Sequence, residues 1–111
     1  KPYQLEGLGV DFDSPILDNS VIDEFIEVSD EHSLGFLKIL ARKHGFLVGL
    51  TSGAVAYAAQ QYARKMNPNN LGVIIFGDSG RAYLSKGFYN QPLDKNFIKI
   101  NDQKSLKNLE I

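Results

Sequence analysis

Apolar positions along this chain change their spacing several times. Tyr3 and Leu5 alternate with polar neighbours, as in a short strand. Gly7 and Gly9 flank Leu8 and end that pattern; they permit close backbone approach or positive φ, and equally an ordinary tight turn. Residues 11–19 hold Pro, Ser, Asp and Asn and read as a loop with a turn at Ser14-Pro15. Residues 21–28 carry β-branched apolar residues and predict a short helical turn near 20–23, then a strand over 25–28. Ser29, Asp30 and Glu31 supply an N-cap and first-turn acids for a helix over about 30–43. Its apolar positions are Leu34, Leu37, Ile39, Leu40 and Ala41. Arg42, Lys43 and His44 bring positive charge to its C-terminus, and Gly45 is the expected residue after the helix.

The second half opens with a short strand over Phe46–Val48, then Gly49, Thr51, Ser52 and Gly53. A helix from about 52 to 66 follows, with Val55, Ala58, Ala59, Tyr62, Ala63 and Met66 along one apolar face. Residues 67–70 (NPNN) stop it. Leu71–Phe76 is a continuous apolar run that fits a buried parallel strand, with Gly77-Asp78-Ser79-Gly80 at its C-terminal end. Arg81–Lys86 predicts a short helix. Beyond Gly87 the chain turns polar and irregular, with one strand-like run at 97–100. Helix, strand, helix, strand in that order argues α/β with at least part of the sheet parallel.

The length of 111 residues fits one domain, and 43% apolar content allows a real core. A net charge of −1 with mixed signs leaves no basic footprint for nucleic acid. No apolar run approaches the ~18 residues of a membrane span. The absence of cysteine removes disulfides, thiolate metal sites and a cysteine nucleophile, and suits the cytoplasm. The chain starts on lysine, so this end reads as cut or as internal to a longer chain.

Two turns carry the candidate chemistry. The Gly49–Gly53 turn aims helix N–H groups and two hydroxyls at one spot, where an acceptor or an anion can sit; the plainer reading makes Thr51 or Ser52 an N-cap. The Gly77–Gly80 turn would join it if the preceding strands are neighbours, so that Thr51, Ser52, Asp78 and Ser79 line one pocket. His32 and His44 read as surface or capping residues. Asp11, Asp13, Asp18, Asp23, Glu24 and Glu27 form a solvated acidic run, and no metal-binding spacing appears.

Three stretches together resemble a known family. Residues 3–12 (YQLEGLGVDF) resemble the VEGIG-x-DF stretch of cystathionine β-synthases. Residues 45–53 (GFLVGLTSG) resemble a stretch shared by cysteine synthases and cystathionine β-synthases. Residues 73–86 (VIIFGDSGRAYLSK) resemble the family's VVxLPDSGxRYLSK stretch. Order and spacing agree over residues 1 to about 90, and Asp11 favours the cystathionine β-synthase branch.

The resemblance implies a pyridoxal 5′-phosphate enzyme of fold type II, a parallel-sheet three-layer sandwich like the tryptophan synthase β-subunit. Residues 1–90 would be the C-terminal portion of the large cofactor-binding domain and 91–111 a tail or linker. Thr51 falls where the family has the serine that hydrogen-bonds the pyridine nitrogen; Gly7, Gly9, Asp78 and Ser79 would shape the pocket. The implied reaction is β-replacement, serine and homocysteine giving cystathionine, or alternatively O-acetylserine and sulfide giving cysteine. A full-length homodimer in the cytoplasm is the family expectation.

This sequence departs from the family at several points. Threonine stands for serine at 51, keeping the hydroxyl while stiffening χ1. Val10 leaves the second substrate open, and Gly77 stands where proline is common. The Schiff-base lysine, the substrate-carboxylate loop and the phosphate loop lie upstream in the family. None of Lys38, Lys43 and Lys86 sits in the family's lysine motif, so no catalytic residue is expected here and this segment alone is expected to be inactive. A non-enzymatic binding or assembly module is the competing reading.

Overall fold

The computed structural model describes residues 14–92. Two α-helices dominate them: α1, Asp30–His44, and α2, Leu50–Ala63. Two 3-10 helices, Asn19–Val21 and Gly80–Lys86, complete the regular structure. Helix α1 begins and ends where its sequence signals lie. The Ser29 hydroxyl accepts from the His32 amide, and Gly45 takes φ 73°, with its amide donating to Leu40. A β-carbon at Gly45 would meet nothing within 4 Å, so only the left-handed backbone calls for glycine. The expected turn at Ser14-Pro15 closes with Leu17 N–H donating to the Ser14 carbonyl at 2.9 Å.

The two helices pack on each other. Phe36, Ile39, Leu40 and Ala56 form one buried cluster, flanked by Val48, Tyr57 and Phe76. Leu37, Leu50 and Tyr89 form the other. Fully burying a side chain such as Phe36 or Leu37 contributes roughly 1.5–3 kcal/mol, so a few such residues dominate this core. The helices cross closely at Gly53, where a β-carbon would strike the Ser33 carbonyl oxygen. The Ser33 hydroxyl donates to the Leu50 carbonyl at 3.3 Å across the same contact. Helix α1 also grips the chain after Gly87: Arg42 donates to the carbonyls of Tyr89 at 2.7 Å and Gln91 at 3.0 Å.

Two expectations about helix α2 are corrected. It starts at Leu50 and ends at Ala63, two residues earlier and three residues earlier than expected respectively. Its buried residues are Leu50, Ser52, Gly53, Ala54, Ala56 and Gln60, not the face through Val55 and Tyr62. Val55, Ala58 and Ala59 are half-buried, and Tyr62 and Ala63 are exposed. The physical reason is close approach: the Gly53 side lets α1 come nearer than a side lined by valine and tyrosine would.

The expected strands are not assembled into a sheet among the described residues. Residues 22–29, 46–49 and 71–77 lie outside any helix, and the single β-bridge joins Val48 to Ser79 in antiparallel sense. A parallel three-layer sandwich is therefore not formed within residues 14–92. The run 71–77 makes no β-bridge among the described residues. The expected strands at residues 3–5 and 97–100 lie outside the described residues.

Candidate functional site

Both glycine-hydroxyl turns come together, by a route other than the one expected. They meet through antiparallel backbone pairing, not as neighbouring ends of parallel strands. Gly49 N–H donates to the Asp78 carbonyl at 2.9 Å, and Gly80 N–H donates to the Leu47 carbonyl at 3.1 Å. Close approach demands glycine at 80, where backbone stands in the way, whereas at Gly49 only the exposed Asp78 side chain would have to move. A β-carbon on Gly49 would run into the Asp78 carboxylate; one on Gly80 would strike the Tyr89 hydroxyl and sit 2.6 Å from the Val48 carbonyl.

Neither Thr51 nor Ser52 caps α2, which corrects the plainer reading of this turn. Gly49 is the N-cap and makes no side-chain cap bond, so Thr51 and Ser52 lie inside the first turn. Thr51 is half-buried, and no hydrogen bond of its hydroxyl is made among the described residues. Ser52 is fully buried, and its hydroxyl has no hydrogen-bond partner there. The first turn of α2 also carries the positive end of the helix dipole.

Asp78 and Ser79 are exposed. The Asp78 carboxylate lies against Gly49 and accepts from the Tyr83 hydroxyl at 2.8 Å. Ser79 is the N-cap of the 3-10 helix, its hydroxyl accepting from the Arg81 amide at 3.3 Å. Asp78 is thus placed beside the Thr51 turn, whereas the hydroxyl of Ser79 is engaged in local capping. Gly7 and Gly9 lie outside the described residues.

The sequence reading missed the tyrosines that tie this corner together. Tyr89 is buried and donates to the Val48 carbonyl at 2.6 Å, within the run read as polar and irregular. Burial pushes its phenol above the usual range, with the nearby Asp78 charge and Tyr83 adding to the effect. The signal available was the apolar pair Phe88-Tyr89 directly after Gly87, which takes φ 70° and turns the chain back. His32 Nδ1 lies 2.8 Å from the Ser29 hydroxyl, and its ring stacks on Tyr57, whereas His44 is half-buried and its enclosed Nε2 has no hydrogen-bond partner among the described residues, unlike the surface residue expected. Among the described residues no group of three His, Asp or Glu is arranged to hold a metal ion, and no helix is long and apolar enough to cross a membrane.

No protein-family model matches the chain. Individual relatives do. The chain is 41% identical over 88 residues to a cysteine synthase of Helicobacter pylori, covering 79% of this chain and 29% of that protein. It is 36% identical over 98 residues to the cystathionine beta-synthase of Mus musculus, covering 87% of this chain and 18% of that one. The O-acetylserine dependent cystathionine beta-synthase of Bacillus subtilis is 38% identical over 87 residues, covering 78% of this chain and 28% of the relative. This chain spans less than a third of the length of these curated relatives. Similarity at this level over most of its residues means that the chain belongs to the cysteine synthase and cystathionine β-synthase family.

Proposed function

We propose that this chain is a segment of a pyridoxal phosphate-dependent β-replacement enzyme of sulfur amino-acid metabolism. Residues 1–90 would belong to the C-terminal portion of its cofactor domain. The observation that carries the reading is the Thr51 turn: a half-buried hydroxyl without a hydrogen bond among the described residues, in the first turn of α2. That donor set fits a pyridine nitrogen. A hydroxyl can donate to the nitrogen lone pair, and the positive helix end disfavours a proton on the ring.

Bound pyridoxal phosphate would supply the electron sink for loss of a group from Cβ of an amino acid. A hydroxyl partner leaves that sink weaker than a carboxylate would, which suits elimination and re-addition over transamination. Within this segment, Thr51 holds the ring nitrogen. The Asp78 carboxylate and the Gly49–Asp78 backbone bond fix the turn that carries it. Gly7, Gly9 and Ser79 would shape the pocket, as the family resemblance implies. The donor would be serine or O-acetylserine, and the incoming nucleophile homocysteine or sulfide. Asp11 favours the cystathionine-forming reaction. The enzyme would work as a cytoplasmic homodimer, with the Schiff-base lysine supplied outside these residues; this segment alone would be inactive.

The test is the visible spectrum of the product of the complete natural gene, before and after adding L-serine or O-acetylserine. The reading predicts a bound-cofactor band that shifts with one of the donors. It also predicts that Thr51→Ser keeps the band position and Thr51→Ala changes it. A colourless protein that takes up no pyridoxal phosphate contradicts the reading and leaves a binding module.

A further inference from the structure

We infer that Tyr83 is a positioning residue of the Thr51 turn, acting through the Asp78 carboxylate that its hydroxyl holds over Gly49. Its bearing on the cofactor rests on the pyridoxal phosphate reading above. Gly49 is the N-cap of α2 and has no side chain to bond the free amides of the first turn. The Asp78 carboxylate fills the space that an N-cap side chain would take: both of its oxygens crowd the position of a β-carbon on Gly49. A negative charge therefore stands at the positive end of α2, against the residue two places before Thr51.

Asp78 is exposed, so burial does not hold its side chain there. The bond from Gly49 N–H to the Asp78 carbonyl fixes main chain only. The Tyr83 hydroxyl supplies the missing constraint, donating to the carboxylate at 2.8 Å. A bond to a charged acceptor is stronger than one between neutral groups. The 3-10 helix Gly80–Lys86 explains why residue 83 can make it. Residues three apart share a face of such a helix. Gly80 lies against the Val48 carbonyl and the Tyr89 hydroxyl, so Tyr83 follows one turn later on the same side. Its ring is half-buried beside the Leu37, Leu50 and Tyr89 cluster. Lys86, a further turn along, brings Nζ to 5.8 Å from the ring centroid. Packing thus holds the ring, and the ring aims the hydroxyl. The two tyrosines secure opposite sides of the clasp: Tyr89 bonds the Val48 carbonyl, and Tyr83 bonds Asp78.

The test is a double-variant cycle in the product of the complete natural gene: Tyr83→Phe, which keeps the ring and removes the hydroxyl, Asp78→Ala, and both together. Two quantities are read, exchange of the Gly49 amide without cofactor and equilibrium affinity for added pyridoxal 5′-phosphate. Each single change should speed Gly49 exchange at least about 10-fold, the order expected for losing one hydrogen bond to a charged group. Amides inside α1 should keep their rates, which checks that the fold persists. Each single change should also lower the affinity at least about 3-fold. The double variant should match Asp78→Ala alone in both quantities, because Tyr83 has nothing to position once the carboxylate is gone. A tyrosine that served packing only would add its full loss in either background. Unchanged Gly49 exchange in Tyr83→Phe, additive losses in the double variant, or unchanged affinity in a Tyr83→Phe protein that binds the cofactor each overturn the inference. A natural gene product that takes up no pyridoxal phosphate, yet shows the non-additive exchange, would sink the proposed chemistry and leave Tyr83 as the residue that holds the turn.

Discussion

The run 71–77 carries no polar side chain, and the helix pair carries many, yet the helix pair is closed and the run is open. Phe36 and Leu37 are 2% and 0% exposed, while Leu71 is 89% exposed. The difference follows from where each element finds its backbone partners. A helix satisfies its amides within its own turns, so α1 and α2 need only each other's side chains to form a core. A strand needs at least one neighbouring strand for its backbone groups, and residues 14–92 provide 71–77 with none. Local chemistry can finish a helical pair; a sheet is finished only by residues distant in sequence.

The largest expected effect sharpens this contrast directly. Leu37→Ala should cost about 3 kcal/mol, because it empties a fully enclosed site. Ile75→Ala in the same chain should stay within about 0.5 kcal/mol, because its side chain meets solvent. Urea denaturation followed by helical signal measures both, and equal losses would break the distinction. Gly53→Ala comes next, at about 2 kcal/mol. Its added carbon meets the Ser33 carbonyl and lies 3.1 Å from the Leu37 β-carbon, so α1 must move away. The same assay reports it as a lower midpoint with unchanged slope.

Helix ends should respond less. Ser29→Ala removes the bond to the His32 amide and should cost about 1 kcal/mol. Gly45→Ala should cost roughly the same through its left-handed backbone alone, since space is open there. Thermal melts of the two single variants and the double variant should show near-additive losses, the sites lying at opposite ends of α1.

The smallest effect is a pH dependence. Tyr89→Phe loses the bond to the Val48 carbonyl and should cost about 1 kcal/mol at neutral pH. In the folded chain the Tyr89 phenol titrates above 10, its ordinary value, so above that pH the unfolded chain releases its proton first. The stability Tyr89 contributes is therefore complete below pH 10 and is lost as pH rises through its folded value. Denaturation between pH 8 and pH 11 should show the natural chain and the phenylalanine variant converging; a gap that widens with pH would reverse the assignment.

What the sequence made legible was mostly local. Ser29 and Gly45 marked the ends of α1 through capping and positive φ, and residues 67–70 marked a turn, which depend on few neighbours, whereas α2 had already ended at Ala63. The buried face of α2 was not legible because both sides of that helix are apolar or small. Helical spacing cannot choose between a Val55–Tyr62 stripe and a Gly53–Ala56 stripe, and Gln60 and Ser52 look like surface residues until packing encloses them. Adjacency of the two glycine turns was anticipated, but the antiparallel clasp that creates it was not. That clasp depends on Tyr83 and Tyr89, whose roles arise from contacts made 5 and 41 residues away.

Amide-resolved hydrogen exchange of the isolated chain tests the central contrast most directly. The account predicts strong protection along the interiors of α1 and α2, with amides 72–76 exchanging near the rate of an unstructured peptide. Protection of 72–76 equal to that of the helices would contradict it, because the strand would then already have its partners within this chain.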